Sequence, residues 1–283
     1  MEASTLKVMS FNIRYDNPRD GDHAWNARKQ AVIQLINEEK PDLLGIQEGL
    51  IHQVKHIEEH FPHHERVGVG RDDGGEEGEH AALFCLRDRV KVERSGTFWL
   101  SDTPGVPGSN TWNTGCRRVC TWCIVTLLHR EGMHRNADDS RVLVMNTHLD
   151  NASRQAREKG AKLIVNKMNE LHPVGPCIVM GDLNTRKNGE RTVAIITRGE
   201  AGRRLIKAGQ VPRQTGMEME AGFTWHDFRG ADARWYHPRG YYDYIFYTAG
   251  FKEVESRIVT RTVHEMYPSD HFPVIAVLHV GNQ

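Results

Sequence analysis

Several apolar segments of this sequence end in polar residues that suit a shared chemical task. The peptide Tyr267-Pro268-Ser269-Asp270-His271 places a carboxylate beside an imidazole, directly before a segment, Phe272 to Leu278, whose pattern predicts a buried strand. A carboxylate can hold a metal ion, and an imidazole can move a proton. Four other apolar segments end in comparable residues: Ser10-Phe11-Asn12, Ile46-Gln47-Glu48, Gly181-Asp182-Leu183-Asn184 and Asn146-Thr147-His148. The repetition predicts one polar site at the ends of several strands.

The candidate metal ligands offer oxygen atoms or amides rather than sulfur. They are Asn12, Glu48, Asp182, Asn184 and Asp270. Asp182 and Asn184 are two positions apart and share a face of the extended chain, so both can aim at one point. Hard oxygen ligands suit Mg²⁺ or Mn²⁺. Such a site fits hydrolysis of phosphate esters, in which the ion offsets phosphate charge while a nearby base activates water.

Two histidines are candidates for proton transfer, because an imidazole titrates near neutral pH. His271 needs a group that fixes its tautomer. Asp243 is the candidate, because it interrupts an apolar strand where a charge is otherwise costly. For His148, the candidate partner is Glu79.

Short β-type runs recur along the chain and end in these residues. The predicted strands are Leu6–Ile13, Leu43–Gln47, Ala81–Leu86, Val119–Leu128, Val142–Thr147, Cys177–Met180, Tyr241–Tyr247 and Phe272–Val280. Helical periodicity predicts helices over Trp25–Lys40, Ser153–Leu171 (with Ser153 as the N-cap) and Thr192–Ala208. Because strands and helices do not alternate strictly, the pattern favours helices packed on sheets over a doubly wound parallel sheet.

The chain is long enough for one sizeable core, with 283 residues of which 39% are hydrophobic. It has no Pro/Ser-rich linker and no break in composition, so we expect one domain over residues 1–283. Gly70–His80, Asp102–Gly115 and His129–Arg141 have the composition of loops, and the last is expected to join two antiparallel strands.

Charge limits the classes of partner. Lys plus Arg and Asp plus Glu both number 37, whereas nucleic-acid binders usually carry a basic surplus. This weighs against a long polyanionic substrate without excluding it, because a local basic cleft is compatible with a neutral total.

No apolar run approaches the roughly 20 residues of a membrane span, and Met1–Thr5 does not begin a secretory signal. No obligate protein partner is implied.

Cysteine usage predicts the compartment. The five cysteines lie in apolar segments, which favours reduced core thiols and a reducing, cytoplasmic environment. Cys120 and Cys123 lie three positions apart in a predicted strand and should face opposite sides, so they are interpreted as core residues rather than a redox motif.

Six segments resemble the motifs of one superfamily in their order along the chain. They are Met9-Ser10-Phe11-Asn12-Ile13-Arg14, Gln47-Glu48, Asn146-Thr147-His148-Leu149-Asp150, Gly181-Asp182-Leu183-Asn184, Tyr242-Asp243-Tyr244-Ile245 and Ser269-Asp270-His271-Phe272-Pro273-Val274. Together they span nearly the whole chain, which therefore resembles the endonuclease/exonuclease/phosphatase superfamily, a deoxyribonuclease I-like group. The resemblance implies an α/β (α+β) fold. This would be a four-layered sandwich of two mixed, mostly antiparallel β-sheets packed face to face, with helices outside.

The resemblance also implies a metal site and a base. Glu48 would be the principal ligand of one or two Mg²⁺ or Mn²⁺ ions, with Asn12 and Asp270 nearby. The base would be His271, oriented by Asp243, although the family pattern leaves open which acid or imidazole takes the proton.

The same resemblance implies that Asp182 and Asn184 position the attacking water and the phosphate, with Asp182 a further contact to metal. His148, paired with Glu79, would hydrogen-bond a phosphate oxygen or the leaving group.

A narrower likeness to a soluble, mostly bacterial branch points to substrate-binding residues. It rests on Asn12-Ile13-Arg14-Tyr15-Asp16-Asn17, Trp25-x-x-Arg28-Lys29, Gly96-Thr97-Phe98-Trp99-Leu100-Ser101, Arg118-Val119-Cys120-Thr121-Trp122 and Thr224-Trp225-His226-x-Phe228. Arg118 is a candidate phosphate clamp or a strand-end salt bridge. Trp225 and His226 are candidates for the wall of the substrate pocket or for the core. The loop Arg229–Tyr241 has two interpretations, a cationic, aromatic lid over the site or a solvated loop. The residues that would form the lid are Arg229, Arg234, Trp235, His237 and Arg239.

The predicted activity is that of a divalent-metal-dependent phosphoesterase, with a phosphodiester as the first substrate class and a metal- and His-activated water as nucleophile. The alternatives are a nuclease on DNA or RNA, a sphingomyelinase-like lipid phosphodiesterase, an inositol or sugar phosphatase, and a non-catalytic scaffold. Zero net charge and the missing membrane segment favour a small or modest-sized phosphate ester.

Overall fold

Twelve strands and four α-helices make up the part of the chain that this computed structural model describes, residues 5–128, 141–185, 191–200, 202–209, 222–233 and 240–280. The strands are β1 (Thr5–Asn12), β2 (Leu43–Gln47), β3 (His64–Val67), β4 (Leu83–Leu86), β5 (Val90–Trp99), β6 (Val119–Leu127), β7 (Arg141–His148), β8 (Cys177–Asp182), β9 (Leu205–Lys207), β10 (Asp243–Thr248), β11 (Phe251–Ile258) and β12 (Val274–Val280). The helices are α1 (Trp25–Glu39), α2 (Ile51–His60), α3 (Arg154–Leu171) and α4 (Arg191–Arg198).

The strands form two six-stranded sheets. The first has the order β11-β12-β1-β2-β4-β3 and the second β5-β6-β7-β8-β10-β9. Among the described strands, β1 pairs with β2 and β7 with β8 in parallel, and the other pairs are antiparallel. The predicted pair of mixed, mostly antiparallel sheets is confirmed.

Alternation along the strands separates three apolar layers. Val8 of β1 and Val144 of β7 lie in a core shared by both sheets, whereas Met9 belongs to a cluster with α1 and α2. Met145, next to Val144, packs with α3 and α4 instead. Each sheet thus buries one face against the other sheet and one against helices, which gives the expected four layers. Full burial of each such side chain contributes about 1.5–3 kcal/mol.

The strand that holds Cys120 and Cys123 shows the same alternation. Cys123 lies in the core between the sheets, and Cys120 lies on the helix-covered face. All five cysteines are free, as the prediction of reduced thiols requires.

Helix α3 begins where its N-cap was predicted, because the Ser153 hydroxyl accepts from the Ala156 amide at 3.2 Å. The prediction of one helix over Thr192–Ala208 is wrong in its second half. Helix α4 stops at Gly199, whose φ of 59° is left-handed, and Leu205–Lys207 pairs with β10 as a strand. Among the described residues, no helix has the length and apolar character to cross a membrane.

Candidate active site

The strand pairing brings the predicted polar residues to one edge of the two sheets. Asn12 is the last residue of β1 and pairs with Gln47, the residue before Glu48. In the second sheet, Asp182 pairs with His148 on one side and with Asp243 on the other. The parallel pairs point the same way, so their carboxyl ends meet at this edge.

The Asp270-His271 dipeptide reaches the same edge from the other end of the chain. It precedes β12, whose first residue pairs with Ser10 of β1. The Ser269 hydroxyl donates to the Asn12 carbonyl at 2.6 Å. This short contact holds Asp270 beside the end of β1.

Two of the polar residues have left-handed backbone conformations. Glu48 has a φ of 65° and Asn184 a φ of 48°. Residues with a Cβ adopt this conformation at a cost of about 1–2 kcal/mol, and such strain clusters at functional sites. In both places the chain turns sharply as it leaves a strand.

Asn12 lies between two acids. Its amide nitrogen donates to Glu48 Oε1 and to Asp182 Oδ2, each at 3.0 Å. Its oxygen accepts from the Arg14 backbone amide at 3.0 Å, which fixes the orientation of the amide. The expectation that Asn12 is a metal ligand does not fit this geometry, because the nitrogen rather than the oxygen faces the carboxylates.

His271 is buried and held by Asp243. Its Nδ1 lies 2.8 Å from Asp243 Oδ2, and its Nε2 lies 3.8 Å from Asp182 Oδ2. Burial acts to lower the pKa of His271, but the Asp243 carboxylate outweighs burial and raises it to about 10. The predicted pairing of these two residues is present in the structure.

His148 is held mainly by Asn184, whose amide nitrogen lies 2.8 Å from His148 Nε2. The same Nε2 lies 3.4 Å from Asp182 Oδ2. Burial, followed by the positive charges of two nearby arginines, holds the pKa of His148 well below its ordinary value. The ring is therefore neutral at pH 7.

Glu79 is not a close partner of His148. Its Oε2 lies 4.0 Å from His148 Nδ1, beyond hydrogen-bond distance, but only 2.6 Å from Arg71 Nη1 and 3.8 Å from Arg118 Nη1. The pairing predicted from sequence is replaced by an arginine–glutamate network, because two guanidinium groups compensate the buried carboxylate better than a neutral imidazole does.

An open cleft of about 590 Å³ is lined by six of the predicted site residues: Glu48, His148, Asp182, Asn184, Asp270 and His271. The lining also includes Arg118 and Asn151, and Trp225 and Tyr242, whose ring centroids lie 6.0 Å apart. Trp225 also donates from its indole nitrogen to Asp270 Oδ2 at 3.3 Å. The structure thus places two of the three predicted substrate-binding residues, Arg118 and Trp225, at the cleft.

His226, the third, lies outside the cleft lining. It is fully buried and stacks on Phe272 with ring centroids 3.8 Å apart. Burial lowers its pKa to about 3, so it is a neutral core residue, and its assignment to the pocket wall is corrected. Alternation explains this, since Trp225 faces the cleft and its neighbour faces away. Of the predicted lid, Arg234, Trp235, His237 and Arg239 lie outside the described residues.

A sequence model described as the Endonuclease/Exonuclease/phosphatase family matches residues 9–271. The chain belongs to the endonuclease/exonuclease/phosphatase family. The resemblance stated from the motifs is therefore confirmed, and members of this family are divalent-metal-dependent phosphoesterases. Among curated proteins, none matches the sequence of this chain.

Solved structures of several proteins superpose over nearly the whole chain. A family protein from Bacteroides vulgatus is 32% identical, with a TM-score of 0.84 over 98% of this chain and 99% of that chain. A mannosyl-6-phosphatase from Bacteroides thetaiotaomicron is 29% identical, with a TM-score of 0.80 over 96% and 99%. D. rerio TDP2 complexed with a single-strand DNA product is 18% identical, with a TM-score of 0.70 over 97% and 99%, which shows the fold alone.

The donor set fits the divalent cation on which this family depends. Ligand atoms of Glu48, His148 and Asp182 lie within 4.8 Å of one another, and those of Asp182, Asp243 and His271 do so as well. Burial, with the Asp243 charge adding to it, raises the pKa of Asp182 to about 7. The charge of Glu48 likewise adds to burial in raising the pKa of Asp270, and a divalent cation would offset the mutual repulsion of these buried carboxylates. We call Glu48, Asp182 and Asp270 the acidic cluster.

Some residues at the site were not predicted from the sequence. Arg14 and Arg157 line the cleft, and Arg28 lies behind it with a fully buried side chain. A signal for Arg28 exists in the sequence, because it occupies an apolar position of α1, three residues after Trp25 and four before Val32. For Arg14 the signal is only its place beside Asn12 in the first motif.

Proposed function

We propose that this protein is a Mg²⁺- or Mn²⁺-dependent phosphoesterase that hydrolyses the P–O bond of a small phosphate ester by in-line attack of water. The supporting observation is the convergence of the acidic cluster on the His271–Asp243 pair at one cleft. Oxygen ligands beside an oriented imidazole are the parts that this hydrolysis needs. A scaffold protein has no need of this arrangement.

Glu48 and Asp270 would hold the cation, with Asp182 beside them. When bound, a divalent cation neutralises charge on the phosphate and the leaving oxygen. The Asn12 amide keeps Glu48 and Asp182 at fixed separation through its two hydrogen bonds. Its role in this proposal is to orient the ligands rather than to bind the ion.

His271 would take the proton of the attacking water at Nε2 from its neutral form, which would be reached with a cation at the acidic cluster, because that charge offsets the Asp270 and Asp182 carboxylates that help to raise the pKa of His271. Its Nδ1 donates to Asp243, which fixes the tautomer and stabilises the imidazolium once it forms. Asp182 lies 3.8 Å from Nε2 and would orient the water there.

The phosphate would be positioned by His148, Asn184 and Arg118. All three line the cleft. Among the described residues Arg118 Nη2 makes only a long hydrogen bond, to Asn151 Oδ1 at 3.5 Å, so this nitrogen can turn to a phosphate oxygen in the cleft. Glu79 would position Arg118, and Trp225 would form a wall for the organic group of the substrate.

A small organic phosphate is the proposed substrate class. The cleft volume of about 590 Å³ lies in the range of small-molecule sites, and the chain carries no basic surplus. The mannosyl-6-phosphatase at 29% identity makes sugar phosphates the first class to test. A phosphodiester, the first choice from the sequence, is the second class.

We also infer a single domain and a cytoplasmic location. One core is shared by both sheets, which favours a single domain over residues 1–283. Free thiols favour a reducing compartment.

The test is a metal-supplemented screen of the purified protein. Its substrates are mannose 6-phosphate and other sugar and inositol phosphates, p-nitrophenyl phosphate, bis-p-nitrophenyl phosphate, sphingomyelin vesicles, and DNA and RNA oligonucleotides. We expect hydrolysis with Mg²⁺ or Mn²⁺ that EDTA abolishes. Glu48→Gln should lose metal-dependent turnover while its circular dichroism spectrum stays unchanged. The control Glu59→Gln, on the exposed face of α2, should keep wild-type turnover. A folded wild type that is inactive on every substrate and metal would overturn the proposal and favour a scaffold.

A further inference from the structure

Arg14 brings a positive charge to the place where a metal cation would bind. Its Nη1 lies 4.0 Å from Glu48 Oε2, and its Nε lies 4.0 Å from Asp270 Oδ2. Both distances are beyond hydrogen-bond length. The side chain is 23% exposed and lines the cleft.

The backbone of Arg14 is held in an unusual conformation. Its φ of 57° is left-handed, which is unfavourable for a residue with a Cβ. Three hydrogen bonds keep it there. The amide donates to Asn12 Oδ1 at 3.0 Å, and the carbonyl accepts from Arg28 Nη2 at 2.6 Å and from Gln53 Nε2 at 3.0 Å. The direction in which the side chain leaves the backbone is therefore fixed.

Asp20 fixes the other end of the side chain. Its two oxygens accept from Arg14 Nε and Nη2, both at 2.9 Å, and Asn17 supports one of them at 3.0 Å. This fork-like pairing orients the planar guanidinium. It leaves Nη1, for which the described residues provide no hydrogen-bond acceptor.

We propose that Arg14 contacts the substrate, donating from Nη1 to a phosphate oxygen, and that Asp20 is the positioning residue that aims it. This inference rests on the proposed function. A guanidinium 4.0 Å from two of the acids repels any cation bound there. A phosphate that meets both the cation and Nη1 removes that conflict, because its oxygens offer negative charge to each. The phosphate would then lie between Arg14 and Arg118, which line the same cleft.

The experiment compares Arg14→Gln, Asp20→Asn and, as matched control, Arg19→Gln, an exposed arginine of the same loop. Three quantities are measured with Mn²⁺: turnover of p-nitrophenyl phosphate or its bis ester, inhibition by inorganic phosphate, and Mn²⁺ affinity by calorimetry. For Arg14→Gln we expect kcat/KM to fall about 10- to 100-fold, which is the factor that corresponds to the loss of one hydrogen bond to a charged group. The phosphate inhibition constant should rise by a similar factor, while Mn²⁺ affinity stays equal or increases.

Asp20→Asn should show a smaller loss, carried mostly by KM and by phosphate inhibition, with unchanged Mn²⁺ affinity. Arg19→Gln should match the wild type. If Arg14→Gln does not fold, the Asp20→Asn result decides, and unchanged phosphate inhibition there overturns the inference. Two results with an active wild type would overturn this inference alone. In the first, Arg14→Gln has the same kinetics as Arg19→Gln. In the second, Arg14→Gln loses Mn²⁺ affinity but is inhibited by phosphate as strongly as the wild type. A wild type inactive on all esters removes the proposed function itself.

Discussion

Asn12 Nδ2 donates to Asp182 Oδ2 at 3.0 Å, although the two residues are 170 positions apart and belong to different sheets. The same nitrogen donates to Glu48 Oε1 at 3.0 Å. Asn12 is fully buried, so water does not compete for either bond. One amide thus fixes the spacing of two acids across the gap between the sheets, and the proposed cation site depends on that spacing.

Asn12→Ala should therefore lower turnover by about 10- to 100-fold, the usual effect of removing a group that orients metal ligands. Asn12→Asp should be worse, because it adds a third carboxylate between two others. Steady-state kinetics over a Mn²⁺ series would show both effects, with Asn26→Ala on the exposed side of α1 as control. Wild-type kcat in Asn12→Ala would show that the acids hold their spacing without the amide.

The His271–Asp243 pair should behave as one unit. His271→Ala is expected to lower kcat by about 10²–10⁴-fold, and Asp243→Asn by about 10- to 100-fold through loss of orientation. Because Asp243 acts through the imidazole, the double variant should be no slower than His271→Ala alone. Additive losses in this double-mutant cycle would mean that Asp243 acts on the reaction independently of His271.

Strands that begin or end at the site were predictable, because each is a buried apolar run that ends in a polar residue. β1, β2 and β8 are of this kind. The strands missed are β3, β5, β9 and β11. Of these, β5 and β11 carry many exposed charges, and a register shift between Val92 and Arg94, or between Glu253 and Glu255, breaks their alternation. Helix α2 was missed because only Val54 and Ile57 give its apolar face.

The site was predictable in its members but not in its contacts. Residue type and position identified Asp243 and His271 as a pair, which the structure shows at 2.8 Å. Which atoms meet depends on side-chain packing, which sequence does not specify. The nitrogen of Asn12 faces the acids because the Arg14 amide binds its oxygen, and Glu79 pairs with Arg71 rather than with His148. These choices are made by tertiary hydrogen bonds.

Arg28 ties the loop that follows β1 to the loop that carries Asp270. Its guanidinium is fully buried, and its acceptors among the described residues are backbone carbonyls: Pro268 at 3.0 Å, Arg14 at 2.6 Å, Tyr15 at 3.5 Å, His23 at 2.9 Å and Ile13. Pro268 lies two residues before Asp270, so the arginine links the end of β1 to the loop before β12.

Arg28→Met should thus destabilise the fold by about 3–5 kcal/mol, because several buried carbonyls lose their donor. Arg28→Lys keeps the charge but lacks the fork that reaches separate carbonyls, so it should fold and still lose activity. Urea unfolding and steady-state kinetics of both variants test these two expectations. Lys29→Met is the control, because the Lys29 ammonium contacts Asn26 at 3.3 Å on the helix surface. Wild-type stability in Arg28→Met would show that these carbonyls find other donors.

Glu39 makes an ion pair with two arginines that lies outside the lining of the cleft. Its carboxylate is almost fully buried and accepts from Arg257 and, at 3.2 Å, from Arg261. Burial acts to raise the pKa of Glu39, but the two arginines outweigh it and the pKa is lowered. In the unfolded chain the pKa returns to about 4.3.

The contribution of this pair to stability is therefore fully present above the unfolded pKa and is lost as the pH falls through the lower folded pKa. Glu39→Gln should unfold more easily than the wild type at pH 7, by about 1–2 kcal/mol, and the difference should shrink below about pH 4. Urea unfolding at several pH values between 3 and 7 measures it. Glu38→Gln is the matched control, since Glu38 contacts Arg261 at 2.6 Å on the exposed surface and should change stability little. A difference that is the same at every pH would mean that Glu39 stabilises the fold through packing rather than through its charge.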